Sequence, residues 1–183
     1  MVKSIKLSDG TTIPWLAFGT GTALYKQDCT NATSLALSLG LTHIDAAQMY
    51  ENEDGVGTAL SASGLPRSAL YITTKLNKIP EGETVESTLR SSLKKLKVDH
   101  VDLFLVHVPT QHTDLKKVWK DMVGIKKLGL TKSIGVSNYN KAQLEETISL
   151  GLENPVVNQV SIRYIFLRDR INLGIYSRLN TIP

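Results

Sequence analysis

Short apolar runs alternate with amphipathic stretches along most of the chain, a pattern typical of alternating strands and helices. The apolar runs predict strands at 16–18, 43–45, 70–74, 101–106, 134–136 and 156–160. Apolar positions at helical spacing predict helices at 28–39, 51–63, 84–97, 114–128 and 141–150. Before them, Asp9 and Gly10 separate two short alternating runs, 4–7 and 12–15, and predict an amino-terminal β-hairpin.

The strict β-α order predicts an α/β protein with a parallel sheet and helices outside it. The run at 101–106 is almost wholly apolar, as expected for a strand that is covered on both faces. About five and a half β/α units fit an incomplete (β/α)8 barrel of the TIM type, preceded by the hairpin. A doubly wound open sheet is the alternative, because alternation alone does not separate the two.

Residues 161–183 differ in composition from residues 1–160, which we interpret as the barrel portion. The tail holds four arginines, no lysine and five isoleucines, whereas the earlier part holds 15 lysines and two arginines. Codons for Val160 and Ser161 can read GTA-AGT, a common start of an intron. We therefore predict that the tail is translated intron sequence; the alternative is a natural, variable carboxyl terminus.

Composition favours a cytoplasmic protein. The net charge is +4, but the lysines are spread along the chain, so nucleic acid is not the expected partner. Cys29 is the single cysteine, which excludes an intramolecular disulfide framework and favours a reducing compartment. No apolar run has the length of a signal peptide core at the amino terminus or of a membrane span elsewhere.

Polar residues with side chains suited to catalysis lie at the ends of four successive predicted strands or directly after them. They are Asp45, Lys75, His107 and the pair Ser137–Asn138. The carboxyl ends of parallel barrel strands meet at one face, so these residues are expected to converge there. Tyr50 lies five residues after Asp45, in a polar loop at the same face.

Asp45, Tyr50, Lys75 and His107 would together suit the reduction of an aldehyde or ketone. A free phenol has a pKa of about 10, and a neighbouring ammonium favours the phenolate. Tyr50 beside Lys75 could therefore act as general acid towards a carbonyl oxygen, while Asp45 keeps Lys75 charged and fixed. His107 could donate a hydrogen bond to the same oxygen. None of these side chains carries a hydride, so a nicotinamide cofactor is required.

Three of these residues also have a purely structural interpretation. Asp45 could cap a turn, Tyr50 could be a loop aromatic packed on a neighbour, and Lys75 could be a surface lysine. Their common position at strand ends favours the functional interpretation over these alternatives.

The remaining polar residues have similar alternatives. His107 could be a satisfied core histidine, and Ser137–Asn138 could be the N-cap of a helix. From their place at strand ends, Asn138 and Gln159 could hold the carboxamide of a nicotinamide, with help from Ser137. His43 and His112 lack such a position and are interpreted as structural.

Several motifs resemble the aldo-keto reductase family: HIDAAQMYENEDGVG, the TTK that ends at Lys75, LVHVP and IGVSNYN. The resemblance covers roughly residues 5–159 and implies a (β/α)8 barrel that reduces carbonyls with NADPH, less often NADH. It implies that Tyr50 is the proton donor, tuned by Lys75 and Asp45, and that His107 contacts the substrate carbonyl. No metal is implied.

The resemblance also implies a cofactor site. Gly19, Thr20 and Gly21 match the first cofactor-facing loop, although as a dinucleotide fingerprint this segment lacks a third glycine. The residues that match the carboxamide site are Ser137, Asn138 and Gln159, and Asp45 is expected to touch the nicotinamide ribose.

Two departures from the family pattern affect the expected function. Val108 stands where the family usually has tryptophan, which is expected to alter the substrate pocket. The segment after Gln159 has no counterpart of strands seven and eight or of the basic loop that grips the adenosine phosphate. The alternative to a reductase is therefore an inactive fragment or a non-catalytic barrel that binds partners.

Overall fold

The computed structural model describes residues 3–161 and 177–181. Within them, nine strands and five helices alternate largely as the sequence predicts. The strands are β1 Ser4–Lys6, β2 Thr12–Pro14, β3 Phe18–Gly19, β4 His43–Asp45, β5 Tyr71–Leu76, β6 Val101–Val106, β7 Thr131–Ser137, β8 Val157–Ser161 and β9 Ser177–Thr181. The helices are α1 Thr30–Ser38, α2 Glu53–Ala62, α3 Val85–Leu96, α4 Leu115–Lys127 and α5 Lys141–Ile148.

The main sheet has the strand order β3-β4-β5-β6-β7-β8-β9, and its first six strands are parallel. Each parallel strand lies beside the one that precedes it in the chain, with no reversal of direction across the sheet. A doubly wound sheet reverses its order at a switch point, so that alternative is wrong. The sequential order produces a curled half-barrel, which confirms the prediction of an incomplete (β/α)8 barrel.

The tail prediction concerns residues that lie mostly outside the described part of the chain. Residues 162–176, 182 and 183 are not described. Ser161 ends β8, and β9 pairs antiparallel with β8, with Asn158 opposite Asn180.

The larger of two apolar cores lies between the sheet and the helices. It includes Ile72, Phe104 and Ile134 from the strands, and Leu89 and Trp119 from the helices, all nearly inaccessible to water. Neighbouring residues in a strand point to opposite faces. The other set of strand side chains, among them Lys75 and His107, is thereby turned towards the barrel interior.

Helix ends follow local signals in the sequence. Thr84 and Ser87 form a reciprocal capping box at the start of α3, and Asn140 and Gln143 form another at the start of α5. Because α5 is capped by Asn140, the alternative that Ser137–Asn138 cap this helix is wrong. Among the described residues, no helix is long and apolar enough to cross a membrane.

The amino-terminal hairpin closes the bottom of the half-barrel and contributes to the second, smaller core. Leu7 and Ile13 pack there with Leu103 and Leu105 of β6. The carboxylate of Asp9 accepts hydrogen bonds from Ser133 Oγ at 2.7 Å and from Lys126 Nζ at 3.3 Å. These bonds join the turn of the hairpin to α4 and β7, more than a hundred residues later.

Helices α2 and α3 approach each other most closely at Gly57, and this contact yields a prediction about stability. A Cβ on Gly57 would overlap the carbonyl oxygen of Lys95 and lie 2.8 Å from the carbonyl carbon of Leu96. Since both obstacles are backbone, Gly57→Ala is expected to lower the free energy of unfolding by about 1–3 kcal/mol.

Chemical denaturation of Gly57→Ala against wild type measures this effect. Gly124→Ala in α4 is the matched control, because a Cβ there meets no atom within 4 Å. The control should be stabilised by about 0.5–1 kcal/mol. Equal stability of Gly57→Ala and wild type would show that the helices can separate without cost.

Candidate active site

Lys75 lies at the centre of the polar cluster at the carboxyl ends of the strands. It is 1% exposed although it carries a charge, so the alternative of a surface lysine is wrong. Its ammonium donates to Asp45 Oδ1 at 2.6 Å, to the carbonyl oxygen of Ala46 at 3.0 Å and to the hydroxyl of Tyr50 at 3.4 Å. An ammonium has three N–H donors, so these three acceptors account for all of them.

Asp45 forms a buried ion pair with Lys75, and its side chain is 14% exposed. Its second oxygen, Oδ2, accepts a hydrogen bond from Gln159 Nε2 at 2.9 Å. Burial alone would raise the pKa of Asp45, but the Lys75 charge and these hydrogen bonds outweigh it and lower the pKa. Burial would likewise lower the pKa of Lys75, but Asp45 outweighs burial and raises it. Both groups therefore stay charged at neutral pH.

Tyr50 ends a short 3-10 helix, Gln48–Tyr50, that follows β4. Its ring meets the His107 ring edge-on, with the centroids 5.6 Å apart and the planes at 84°. The Nζ atom of Lys75 lies 5.0 Å from the centroid of the Tyr50 ring. Because an ammonium can only donate, its contact uses a lone pair of the phenol oxygen and leaves the O–H of Tyr50 able to donate elsewhere.

His107 follows β6 and is 8% exposed. Among the described residues its Nδ1 atom, which is buried, has no hydrogen-bond partner, so it is not a fully satisfied core histidine. Burial, and then the nearby Lys75 charge, lower the pKa of His107 to about 4. The imidazole is therefore neutral at neutral pH and presents one N–H donor and one acceptor.

The titration of His107 provides a direct test of this electrostatic arrangement. Its imidazole resonances, followed by NMR from pH 3 to pH 8, are expected to titrate near 4 rather than at the ordinary value of 6.5. Between these values the unfolded chain binds more protons at this site, so the free energy of unfolding should decrease as the pH falls through that window. A midpoint at or above 6.5 would contradict the burial and the charge described for this residue.

Three further residues from β7 and β8 adjoin the cluster. Ser137 Oγ donates to the carbonyl oxygen of Gln159 at 2.7 Å, and Asn138 Nδ2 donates to the carbonyl oxygen of His107 at 3.1 Å. The Oε1 atom of Gln159 is buried and accepts no hydrogen bond from a described residue. A buried amide oxygen without a donor is an acceptor that an N–H group of a ligand could satisfy.

The glycine loop and Val108 complete the set that the sequence predicts. Gly19 pairs with Asp45 across β3 and β4, and the amide of Thr20 donates to the carbonyl oxygen of Asp45 at 3.1 Å. Gly21 lies directly against the ring of Tyr50. Val108 is half-buried beside His107 in the chain. His43, which the sequence analysis interprets as structural, contacts Thr73 Oγ1 at 2.9 Å and the carbonyl oxygen of Pro14.

The sequence missed two residues that support this cluster from behind. Asn52 is the N-cap of α2, yet its side chain does not cap the helix; it bonds instead to the carbonyl oxygens of Thr20 and Leu24. Glu53 is 2% exposed and accepts a 2.6 Å hydrogen bond from Thr74 Oγ1, next to Lys75 in β5. Burial raises the pKa of Glu53. No spacing rule distinguishes these two from an ordinary helix start.

The fold and the site define the class of protein: a (β/α) barrel whose polar cluster lies at the carboxyl-terminal face of the strands. Residues 15–179 match the sequence model of the aldo/keto reductase family. The chain belongs to this family, which confirms the resemblance. Among the described residues, no group of three or more His, Cys, Asp or Glu side chains could hold a metal ion.

Relatives come from bacteria and from an insect. The chain is 40% identical over 159 residues to the methylglyoxal reductase DkgA of Escherichia coli. This alignment covers 86% of the chain and 57% of the relative. The chain is 37% identical over 176 residues to the aldo-keto reductase AKR2E4 of Bombyx mori, with the same coverage. The chain thus spans less than two thirds of the length of these relatives.

Solved structures share the fold over the same portion. An aldo/keto reductase from Brucella melitensis superposes with a TM-score of 0.79 at 41% identity, covering 87% of this chain and 63% of that one. The Bombyx mori enzyme in complex with NADP superposes with a TM-score of 0.78 at 36% identity, covering 87% and 58%.

Proposed function

We propose that this chain carries the chemistry of NADPH-dependent reduction of an aldehyde or ketone to an alcohol. Tyr50 is the general acid in this proposal. The observation that carries it is the triple contact of Lys75, whose ammonium contacts the phenol oxygen of Tyr50 and leaves the phenol proton available. The relatives include reductases and a complex with NADP, and the family membership supports the same reaction class.

The residues around Asp45 fit a nicotinamide cofactor. Gln159 Oε1 is a buried acceptor that a carboxamide N–H could satisfy, and Ser137 and Asn138 lie beside it to complete a carboxamide site. The Gly19–Gly21 loop would face the cofactor, and Asp45 would touch its ribose. When bound, the reduced nicotinamide supplies a hydride to the carbonyl carbon. NADH is the alternative cofactor.

In the proposed reaction, the protein's own residues deliver the proton. The O–H of Tyr50 transfers its proton to the carbonyl oxygen as negative charge develops there. The phenolate that remains is stabilised by the Lys75 ammonium, which Asp45 keeps in place. The neutral imidazole of His107 donates one hydrogen bond to the same carbonyl oxygen and orients it. The products are the alcohol and the oxidised cofactor.

The substrate would lie above Tyr50 and His107, and Val108 would form part of its pocket. A valine is smaller than the tryptophan that is usual in the family, so we expect more room for the substituent on the carbonyl carbon. The substrate is thus a small-molecule aldehyde or ketone, and its class is defined by the carbonyl alone.

A two-step assay tests the proposal on the chain as it stands. NADPH is titrated into the purified protein while the cofactor fluorescence is recorded, and an aldehyde series is then added while the loss of NADPH absorbance is followed. Saturable binding and aldehyde-dependent oxidation are expected. Absence of NADPH binding at about 1 mM cofactor, the upper end of ordinary Michaelis constants, would instead favour the non-catalytic alternative.

A further inference from the structure

Gly21 lies against the hydroxyl-bearing end of the Tyr50 ring. A Cβ placed on Gly21 would be 2.9 Å from Cζ of Tyr50 and 3.1 and 3.2 Å from its two Cε atoms. The backbone of Gly21 has φ −81° and ψ −161°, which any residue can adopt. A larger residue here would therefore displace the ring, although the backbone conformation itself accepts any residue.

Asn52 holds the loop that contains Gly21. Its Nδ2 atom donates to the carbonyl oxygen of Thr20 at 2.8 Å and to that of Leu24 at 2.7 Å, one on each side of Gly21. Asn52 is 4% exposed, so these two bonds are shielded from competition with water. Asn52 also follows Tyr50 by only two residues, and therefore one short segment carries the phenol and fixes the loop packed against it.

Tyr50 has further contacts, two to its ring and one to its backbone. His107 meets the ring edge-on, Lys75 Nζ lies 5.0 Å from its centroid, and the amide of Lys26 donates to the carbonyl oxygen of Tyr50 at 2.9 Å. The long, 3.4 Å contact between Lys75 and the phenol oxygen would not by itself hold the ring in place. The close approach of Gly21 gives the hydroxyl-bearing end of the ring a second point of support besides Lys75.

We propose that Gly21 and Asn52 form a phenol clamp that positions Tyr50 for proton transfer. In the clamp, Gly21 is the contact surface and Asn52 fixes its position. This adds a second role to the cofactor contact proposed for the loop of Gly21, because the Cβ direction of this residue meets the Tyr50 ring. The inference rests on the proposed function, since the phenol needs such positioning only if it delivers a proton.

The variant Gly21→Ala separates the two roles. A methyl group would displace the phenol from its present position beside Lys75, and displacements of this size cost about 10- to 100-fold in rate. We therefore expect kcat to fall by about that factor while the dissociation constant of NADPH changes by less than about twofold. Gly124→Ala, where a Cβ meets nothing within 4 Å, is the matched control and should resemble wild type in both measurements.

A spectroscopic readout keeps the inference testable if no turnover is found. With ¹³Cζ-labelled tyrosine, the Tyr50 resonance, identified by its absence in Tyr50→Phe, should shift in Gly21→Ala and remain in place in Gly124→Ala. Asn52→Ser, which removes both amide N–H donors without adding a charge, should shift the same resonance. Thermal denaturation verifies that each variant is folded.

Two results would overturn the clamp. One is an unshifted Tyr50 resonance in folded Gly21→Ala. The other is a weaker NADPH affinity that accounts for the whole loss of rate, which would return Gly21 to a cofactor role. An inactive wild type with a shifted resonance in Gly21→Ala would instead contradict the proposed function, while showing that Gly21 still determines the position of the phenol.

Discussion

Replacing Tyr50 with phenylalanine is expected to lower kcat for aldehyde reduction by about 10²- to 10⁴-fold. The change removes only the hydroxyl. The phenyl ring keeps its contacts with Gly21 and His107, and Lys75 keeps Asp45 and the carbonyl oxygen of Ala46 as acceptors. Cofactor binding should therefore survive, and the loss should fall on the proton-transfer step.

Steady-state rates and NADPH fluorescence titrations of the same preparations separate the effect on kcat from the effect on cofactor binding. Tyr71→Phe is the matched control, because Tyr71 begins the same strand that carries Lys75 and its buried hydroxyl has no hydrogen-bond partner among the described residues. The control should keep the wild-type rate. If Tyr50→Phe also reduced aldehydes at the wild-type rate, another group would have to supply the proton.

Replacing Asp45 with asparagine is expected to lower the free energy of unfolding by about 3–5 kcal/mol. Asparagine keeps the shape of the side chain but leaves the buried Lys75 ammonium without its counter-charge. The double variant Asp45→Asn with Lys75→Met removes both charges and should recover part of the loss. Urea denaturation measures all three proteins. A single variant within about 1 kcal/mol of wild type would show that water screens the pair.

The same pair makes a signed prediction for pH. The pKa of Asp45 is lowered by folding. Its contribution to the free energy of unfolding is therefore present above the ordinary pKa of 3.8 and is lost as the pH falls through the pKa of the folded state. The pKa of Lys75 is raised, so its contribution is present below 10.5 and is lost as the pH rises through the folded value. Between these limits the pair makes a constant contribution to the free energy of unfolding. Asp45→Asn should remove the part of the decrease at acid pH that comes from Asp45.

The sequence predicted the barrel and the convergence of Asp45, Lys75 and His107 because both follow from simple periodicities. Alternating elements define the order of the strands, and a polar residue after an apolar run marks a strand end. Tyr50 has no periodic signal of its own; it is selected because it follows Asp45 in a polar loop at the same face, and the resemblance to the family supports that choice. The structure brings these residues together, while their catalytic roles remain proposals.

Other features depend on contacts that no local pattern encodes. Strand β7 begins at Thr131, three residues before its predicted start. The prediction was too short because the polar residues Lys132 and Ser133 interrupt the apolar run. Ser133 is nevertheless buried against Asp9. The side chain of Asn52 could have capped its own helix. It turns instead to the Thr20–Leu24 loop, which lies about thirty residues earlier in the chain and is near only after the strands have paired.

The bonds of Asp9 to Lys126 and Ser133 have a consequence for the order in which the molecule assembles. The hairpin is synthesised before α4 and β7, so its turn cannot complete these contacts until those two elements have been made. Contacts between residues so distant in the chain carry a high loop-closure cost and tend to form late. The hairpin is thus made before the elements on which it docks, and we expect Leu7 and Ile13 to stay accessible to chaperones until β6 and β7 have been made.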